Sequence, residues 1–374
     1  MLLHLDESAV ADAISDSATA LGSHAAIENL LLAHFEGNHV VSLRPEDVDA
    51  LLDAPLDWSP RARRALEHID ENYAQISGLR GDIAWSIELG VGPAFTGAAH
   101  DVGGGRRVIR ASLGAFDRMQ TAVCAALLGE NRTDAGLFVE LGLMMRAVRR
   151  WENINMVHDT RGGGGDTTAI EFQGMADRGR VVLAVADTDQ RHPASGIGGT
   201  YGKLAAAARG RPAYQRARPL HVRTAEGLVP LAVYREVLMS PERRTCVDRI
   251  EALLRSAPTD VLRYAHLKDG IRLHQVEHPK TQPEGEYWRR IAGNTGRDRC
   301  NRPTRDQCKE RETCGCYVVD ALGGEALSEV VAWMKTRKSK RQLAARFDLP
   351  RDDQLAALAD EVLAWGLALA PVQA

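Results

Sequence analysis

In the first third of the chain, apolar residues recur at helical spacing, as at Ile27, Leu30 and Leu31 and again at Ala65, Ile69 and Tyr73. Steps of three and four residues put such positions on one face of a helix. The runs are broken at Pro45, Pro55 and Pro60 and at Gly103, Gly104 and Gly105, residues that interrupt regular structure. Residues 1–118 are therefore expected to form a mainly helical N-terminal region with a few short strands. From 119 to 237 short apolar runs (Val123–Leu128, Ile154–Val157, Val181–Ala186) alternate with helical stretches at Thr133–Trp151 and Thr167–Asp177. That alternation predicts βαβ units and a parallel sheet with helices on its faces. Residues 238–330 are mixed in pattern and residues 331–374 strongly helical. The expected class is α/β, with a central parallel sheet between a helical N-terminal region and helical C-terminal elements.

Length and composition narrow this further. A chain of 374 residues, 44% hydrophobic and 26% charged, has the material for two or three packed domains. Met1 to Val10 lacks the basic start and apolar run of a signal peptide, and no stretch reaches the ~20 apolar residues of a membrane span. A cytoplasmic protein with no membrane partner is expected. The net charge of −3 gives no overall attraction to nucleic acid, so binding of DNA or RNA has to come from local basic segments.

Candidate chemistry gathers at the ends of the three predicted strands. The first runs into Gly129-Glu130-Asn131-Arg132-Thr133-Asp134, the second into Gly162-Gly163-Gly164-Gly165-Asp166-Thr167, and the third into Asp187-Thr188-Asp189. Ligands of parallel sheets bind at these carboxyl ends. The four glycines and Thr167 at a helix start read as a phosphate cradle, because glycine lets the backbone approach and a helix N-terminus favours an anion. Asp-x-Asp places two carboxylates on the same side of an extended chain. Clustered carboxylates repel unless a cation neutralises them, and an all-oxygen set suits Mg²⁺ or Mn²⁺. The alternative is local: Asp134 and Asp166 are equally suited to capping helices, and the glycines to a loop.

These ordered elements resemble the TOPRIM domain of topoisomerases, bacterial primases and nucleases of the OLD and anti-phage-defence type. The family's first motif, an apolar strand followed by Glu-Gly-x-x-Asp, is similar to Leu128-Gly129-Glu130-Asn131-Arg132-Thr133-Asp134, with Asn131 in place of the glycine. Its second, a strand ending in Asp-x-Asp, is matched by Ala186-Asp187-Thr188-Asp189. The resemblance implies a catalytic domain over 119–237 with Glu130, Asp187 and Asp189 on Mg²⁺, and Asp134 as a further carboxylate. More loosely it extends to Glu226, in Arg223-Thr224-Ala225-Glu226, and to Lys203 near a scissile phosphate. It implies a Mg²⁺-dependent nuclease acting on DNA or RNA, with a role in anti-phage defence, working with a partner ATPase or as a homo-oligomer. Primase-like nucleotidyl transfer and a non-catalytic nucleic-acid or nucleotide binding subunit remain open on the same motifs. A topoisomerase is not expected, since no strand-passage body with a catalytic tyrosine is visible in the remaining residues.

Two later segments add candidates. Cys300, Cys308, Cys314 and Cys316 are four of six cysteines. Clustered in a reducing compartment they suit either structural Zn²⁺ or free thiols. Around them Arg289, Arg290, Arg297, Arg299 and Arg302, with Tyr287 and Trp288, suit either a phosphate-backbone patch or a solvated loop. Lys335–Arg341 precedes two helical stretches flanking Leu349-Pro350, the pattern of a helix-turn-helix or of a plain helical hairpin. Arg63 and His68 share the Arg-x₄-His spacing of some RNA-cleaving helical domains, but in so arginine-rich a chain the spacing arises by chance, and an exposed amphipathic helix is the reading adopted.

Overall fold

The computed structural model describes residues 1–257, 260–298 and 315–373. The chain packs as two compact units: Met1–Val185, Leu204–Arg218 and Pro350–Ala374 form one, and Ala186–Lys203 with Pro219–Leu349 the other. This division does not follow the boundaries expected at 118, 237 and 330. Both parallel sheets lie in the first unit, flanked by helices, so the mixed α/β class is as the pattern predicts. No helix among the described residues is long and apolar enough to cross a membrane.

The helices expected over residues 1–118 are present: α1 (Glu7–Ala13), α2 (Ala20–Phe35), α3 (Pro45–Asp53), α4 (Pro60–Glu71) and α5 (Tyr73–Asp82). They do not make a helical body, however. They flank a five-stranded sheet of β1 (Leu2–Leu5), β2 (Val40–Ser42), β3 (Trp85–Gly90), β4 (Thr96–Asp101) and β5 (Arg107–Ser112), in the order β2-β1-β3-β5-β4. The first four strands in that order run parallel, and β4 closes the edge antiparallel to β5. Proline breaks and strands of three to six residues hid the sheet, because each apolar run is too short to show a period of its own. In α4, His68 Nδ1 meets His34 Nε2 at 3.0 Å, so the histidine of the Arg-x₄-His spacing is tied to α2.

The second sheet carries the predicted chemistry. A short helix α6 (Met119–Ala122) leads into β6 (Ala126–Gly129), followed by α7 (Arg132–Val148). The expected strand at 154–157 is only a two-residue piece, β7 (Asn155–Met156), paired antiparallel with Leu367–Ala368 near the end of the chain. The parallel strand is the next one, β8 (Asp159–Gly162). Its sequence Asp-Thr-Arg-Gly is polar because it is an edge strand, half-exposed along its length, so hydrophobicity could not reveal it. After α8 (Thr168–Ala176) come β9 (Val182–Ala186) and, past α9 (Gly199–Ala208), β10 (Gln215–Pro219). The order is β10-β9-β6-β8. β6 and β9 are buried at every position, the signature of strands covered on both faces.

Closing the first unit, the helix Asp353–Gly366 packs along α7 and buries Leu355, Leu358, Val362, Leu363 and Trp365. Its Glu361, 1% exposed, receives Arg216 and Arg218, and Arg216 also lies 4.6 Å over the Trp85 ring. The preceding helix, Lys340–Arg346, belongs to the other unit, and Asp353–Gly366 contributes its apolar face to the core of the first.

The second unit is largely helical: α10 (Leu231–Val237), α11 (Pro241–Leu254), α12 (Val261–Tyr264), α13 (Leu273–Glu277) and α14 (Gln282–Asn294). They surround a two-stranded antiparallel ribbon of β11 (Ile271–Arg272) and β12 (Tyr317–Val319). Tyr287 and Trp288 are buried, not displayed for stacking on bases. Arg297 is also committed to the fold: its guanidinium donates to Asp320 at 2.8 Å and to the carbonyls of Val318 and Arg249. Neither arrangement suits the phosphate-binding patch expected there. Arg289 and Arg290 are exposed. Arg299, Arg302, Cys300, Cys308 and Cys314 lie outside the described residues. Cys316 is half-buried just before β12, and its carbonyl accepts Leu273 N–H at 2.9 Å.

Candidate functional site

Strand order fixes where the second sheet can bind a ligand. From β6 the chain passes through α7 to β8 on one side, then through α8 to β9 on the other. Right-handed crossovers in opposite directions put their helices on opposite faces, and a crevice opens where the order reverses, at the carboxyl ends of β6 and β9. Leu128 pairs with Ala184 in parallel register, so the chain leaves both strands at the same end of the sheet. The residue after β6 is Glu130; the residue after β9 is Asp187. Each is half-buried. The first sheet has a similar reversal between β1 and β3, but Asp6, leaving β1, caps α1 by accepting the N–H and hydroxyl of Ser8 at 2.9 and 2.6 Å.

The turn after β6 is held by capping and by close backbone packing. Asn131, which departs from the family's glycine, is the N-cap of α7: its Oδ1 accepts the N–H groups of Thr133 and Asp134 at 2.8 and 3.0 Å. Its amide donates to the Asp134 carboxylate at 2.8 Å, so buried Asp134 takes part in the cap. Asn131 followed by Asp134 is a sequence signal for this arrangement.

The glycine run works differently from the expected phosphate cradle. Gly163 N–H donates to the Gly129 carbonyl at 2.8 Å and Gly165 N–H to the Glu130 carbonyl at 3.0 Å. Those donors clasp the β6 turn and are not presented to a ligand. A Cβ on Gly162 would lie 2.6 Å from Arg132 N, and one on Gly163 2.4 Å from the Thr168 hydroxyl. Gly164 and Gly165 have φ of +74° and +66°, where side chains are strained. Thr167 Oγ1 donates back to the Gly163 carbonyl at 2.5 Å. The four glycines thus allow two backbone turns to touch, and thereby anchor the Glu130 backbone.

Asp187, Thr188 and Asp189 do not continue the strand. β9 ends at Ala186, and Asp189 takes φ +53°, so the alternation that would align two carboxylates is lost. Thr188 is buried, its hydroxyl donating to the Val222 carbonyl at 2.7 Å. Asp189 N–H donates to the Arg223 carbonyl at 3.1 Å, and Gly198 N–H to the Thr188 carbonyl at 2.6 Å. A Cβ at Gly198 would stand 2.5 Å from Asp189 Cβ, so this glycine is required by the path of the segment. Glu226 sits in a 3₁₀ turn, Ala225–Leu228, whose geometry is secured by the Tyr234 hydroxyl on the Glu226 carbonyl at 3.0 Å. Lys203 lies exposed in α9.

Among the described residues no group of three or more His, Cys, Asp or Glu side chains is gathered so as to hold a metal ion. The comparison of this chain with protein-family models, with curated proteins and with solved structures found no match.

Proposed function

We propose that this protein is a Mg²⁺-dependent nuclease hydrolysing DNA or RNA phosphodiesters, with a TOPRIM-like second sheet and with Glu130 and Asp187 as its principal acidic residues. The observation that carries this reading is the exit of both residues from neighbouring parallel strands at the reversal of strand order. Mg²⁺ keeps several waters and is commonly held by one or two carboxylates plus substrate phosphates, so this reading does not require a preassembled triad. When bound, the ion supplies polarisation of a phosphoryl oxygen and activation of water. The chain's own share is placement: the Gly165 clasp fixes the backbone of Glu130, and the Thr188 anchor fixes that of Asp187. In this reading Asp189 is a positioning residue for the segment after β9. Lys203 supplies a cation for the scissile phosphate and Glu226 a further carboxylate. A partner ATPase and a role in defence against phage belong to the same proposal.

The test is a screen of the purified protein against single- and double-stranded DNA and RNA, with Mg²⁺, Mn²⁺ or EDTA. Cleavage that needs the ion and stops with EDTA is expected. Tight binding without turnover in either metal would instead identify a non-catalytic binding subunit and overturn the nuclease reading.

A further inference from the structure

A pocket of about 640 Å³ lies wholly within the second unit, between the segment after β9, the turn before β11, α13 and α14. Its lining concentrates positive charge in a chain that is net negative: Arg191, Arg223, Lys268, Arg272 and Lys280 against two carboxylates, Asp269 and Glu284. Those carboxylates offset part of the charge, with Glu284 3.6 Å from Arg191 and Asp269 3.4 Å from His266. Three histidines, His266, His274 and His278, also line it, the last two with ring centroids 4.8 Å apart. Arg223 marks the depth of the site. Its Nε is buried without a hydrogen-bond partner, and burial together with the neighbouring Arg191 guanidinium pulls its pKa down to about 10. Cations packed against one another in a concave, partly dehydrated site are costly unless an anion joins them.

Tyr317, half-buried, brings an aromatic ring to the lining. Buried Trp288 supports the pocket from behind, its Nε1 donating to the Arg191 carbonyl at 3.0 Å and so holding the base of that arginine. The volume is in the range of small-molecule sites and well beyond the need of a phosphate chain alone. We propose that this pocket binds a nucleoside di- or triphosphate, with its phosphates among Arg191, Arg223, Lys268 and Lys280 and its ring system towards Tyr317. The site uses none of the acidic residues assigned to cleavage and stands or falls separately from the nuclease reading. A sequence signal existed in the density of basic residues from His266 through Lys268, Arg272, His274 and His278 to Lys280. It was obscured because Arg191 and Arg223 come from distant stretches.

The test is calorimetric titration of the full chain with ATP, ADP, AMP and inorganic tripolyphosphate, in EDTA so that no divalent ion contributes. ATP and ADP should bind, AMP about tenfold more weakly for want of phosphates, and tripolyphosphate more weakly than ATP for want of the ring. Lys280→Gln and Lys268→Gln change exposed side chains that the fold does not need, and each should weaken ATP by about tenfold, the scale of one lost charge contact. Arg223→Gln should weaken it further, and Arg289→Gln, on α14 outside the lining, should leave it unchanged. Absence of ATP binding, or binding indifferent to both lysine variants, overturns the proposal. Tripolyphosphate binding as tightly as ATP would reduce the site to one for inorganic anions. A single-stranded oligonucleotide that displaces ATP with higher affinity, and loses affinity in the same variants, would make it a nucleic-acid track instead.

Discussion

Several residues owe their behaviour to burial more than to their own chemistry, and His34 gives the clearest test. Its Nδ1 accepts the Val41 N–H at 3.0 Å, which leaves Nε2–H to meet His68 Nδ1. Protonation would break the first bond and place a charge in the core, and burial, with His68 adding to it, lowers the pKa from 6.5 to about 3. The folded value lies below the unfolded one, so the stabilisation from a neutral His34 is fully present above pH 6.5 and is lost as pH falls towards about 3. At about 1.4 kcal/mol per pH unit within that window, His34 alone should cost roughly 2 kcal/mol between pH 6.5 and 4.5. His158, lowered to about 4 by burial, acts in the same direction. Thermal melts across this range check the prediction, and His34→Gln should flatten part of the slope. A melting temperature constant from pH 7 to 4.5 would contradict it.

At the scale of elements, close backbone approaches and one buried carboxylate hold the first unit together around the turn that carries Glu130. Gly162→Ala drives a methyl into the Asn131–Arg132 backbone, a clash that cannot be relieved by a flexible side chain and should cost about 2 kcal/mol. Gly165→Ala meets no neighbour but sits at φ +66°, so only about 1 kcal/mol is expected. Chemical denaturation should rank them in that order, and the reverse order would mean that the clasp is not a close approach. Glu361→Gln leaves Arg216 and Arg218 facing a neutral amide in the core, and a loss of about 2–3 kcal/mol is expected. An unchanged denaturation midpoint would show that the pair is dispensable. What the sequence revealed follows the same physics. The buried strands β6 and β9 were legible because both faces are covered and the run is continuously apolar. Edge strand β8 was not, since half of it meets solvent. The glycine run was visible as a special backbone, but its partner was not: a phosphate and a neighbouring carbonyl both ask for exposed N–H groups, and only the fold shows that Gly129 and Glu130 supply the acceptors. In the same way Asp-x-Asp promised aligned carboxylates only while the strand continued, and the left-handed turn at Asp189 ends it.

Across the whole molecule, the two units divide the expected central region in the sequence at the last residue of β9, between Val185 and Ala186. A sequence boundary cannot mark this, because the chain returns to the first unit twice, with Leu204–Arg218 and again with Pro350–Ala374. The helix of that last segment, Asp353–Gly366, is amphipathic and buries its apolar face in the core of the first unit. By this division Glu130 belongs to the first unit, and Asp187 and the basic pocket to the second. The central claim is that the acidic pair supports metal-dependent cleavage. Its most direct measurement is the rate of nucleic-acid cleavage against Mg²⁺ or Mn²⁺ concentration for the wild type, Glu130→Gln and Asp187→Asn, with thermal melts as the folding control. Each change removes a charged oxygen ligand while nearly keeping shape. The account predicts unchanged melting and rates lower by two or more orders of magnitude, about 1.4 kcal/mol of transition-state stabilisation for each tenfold. Wild-type rates in either well-folded variant, or cleavage indifferent to EDTA, would contradict it.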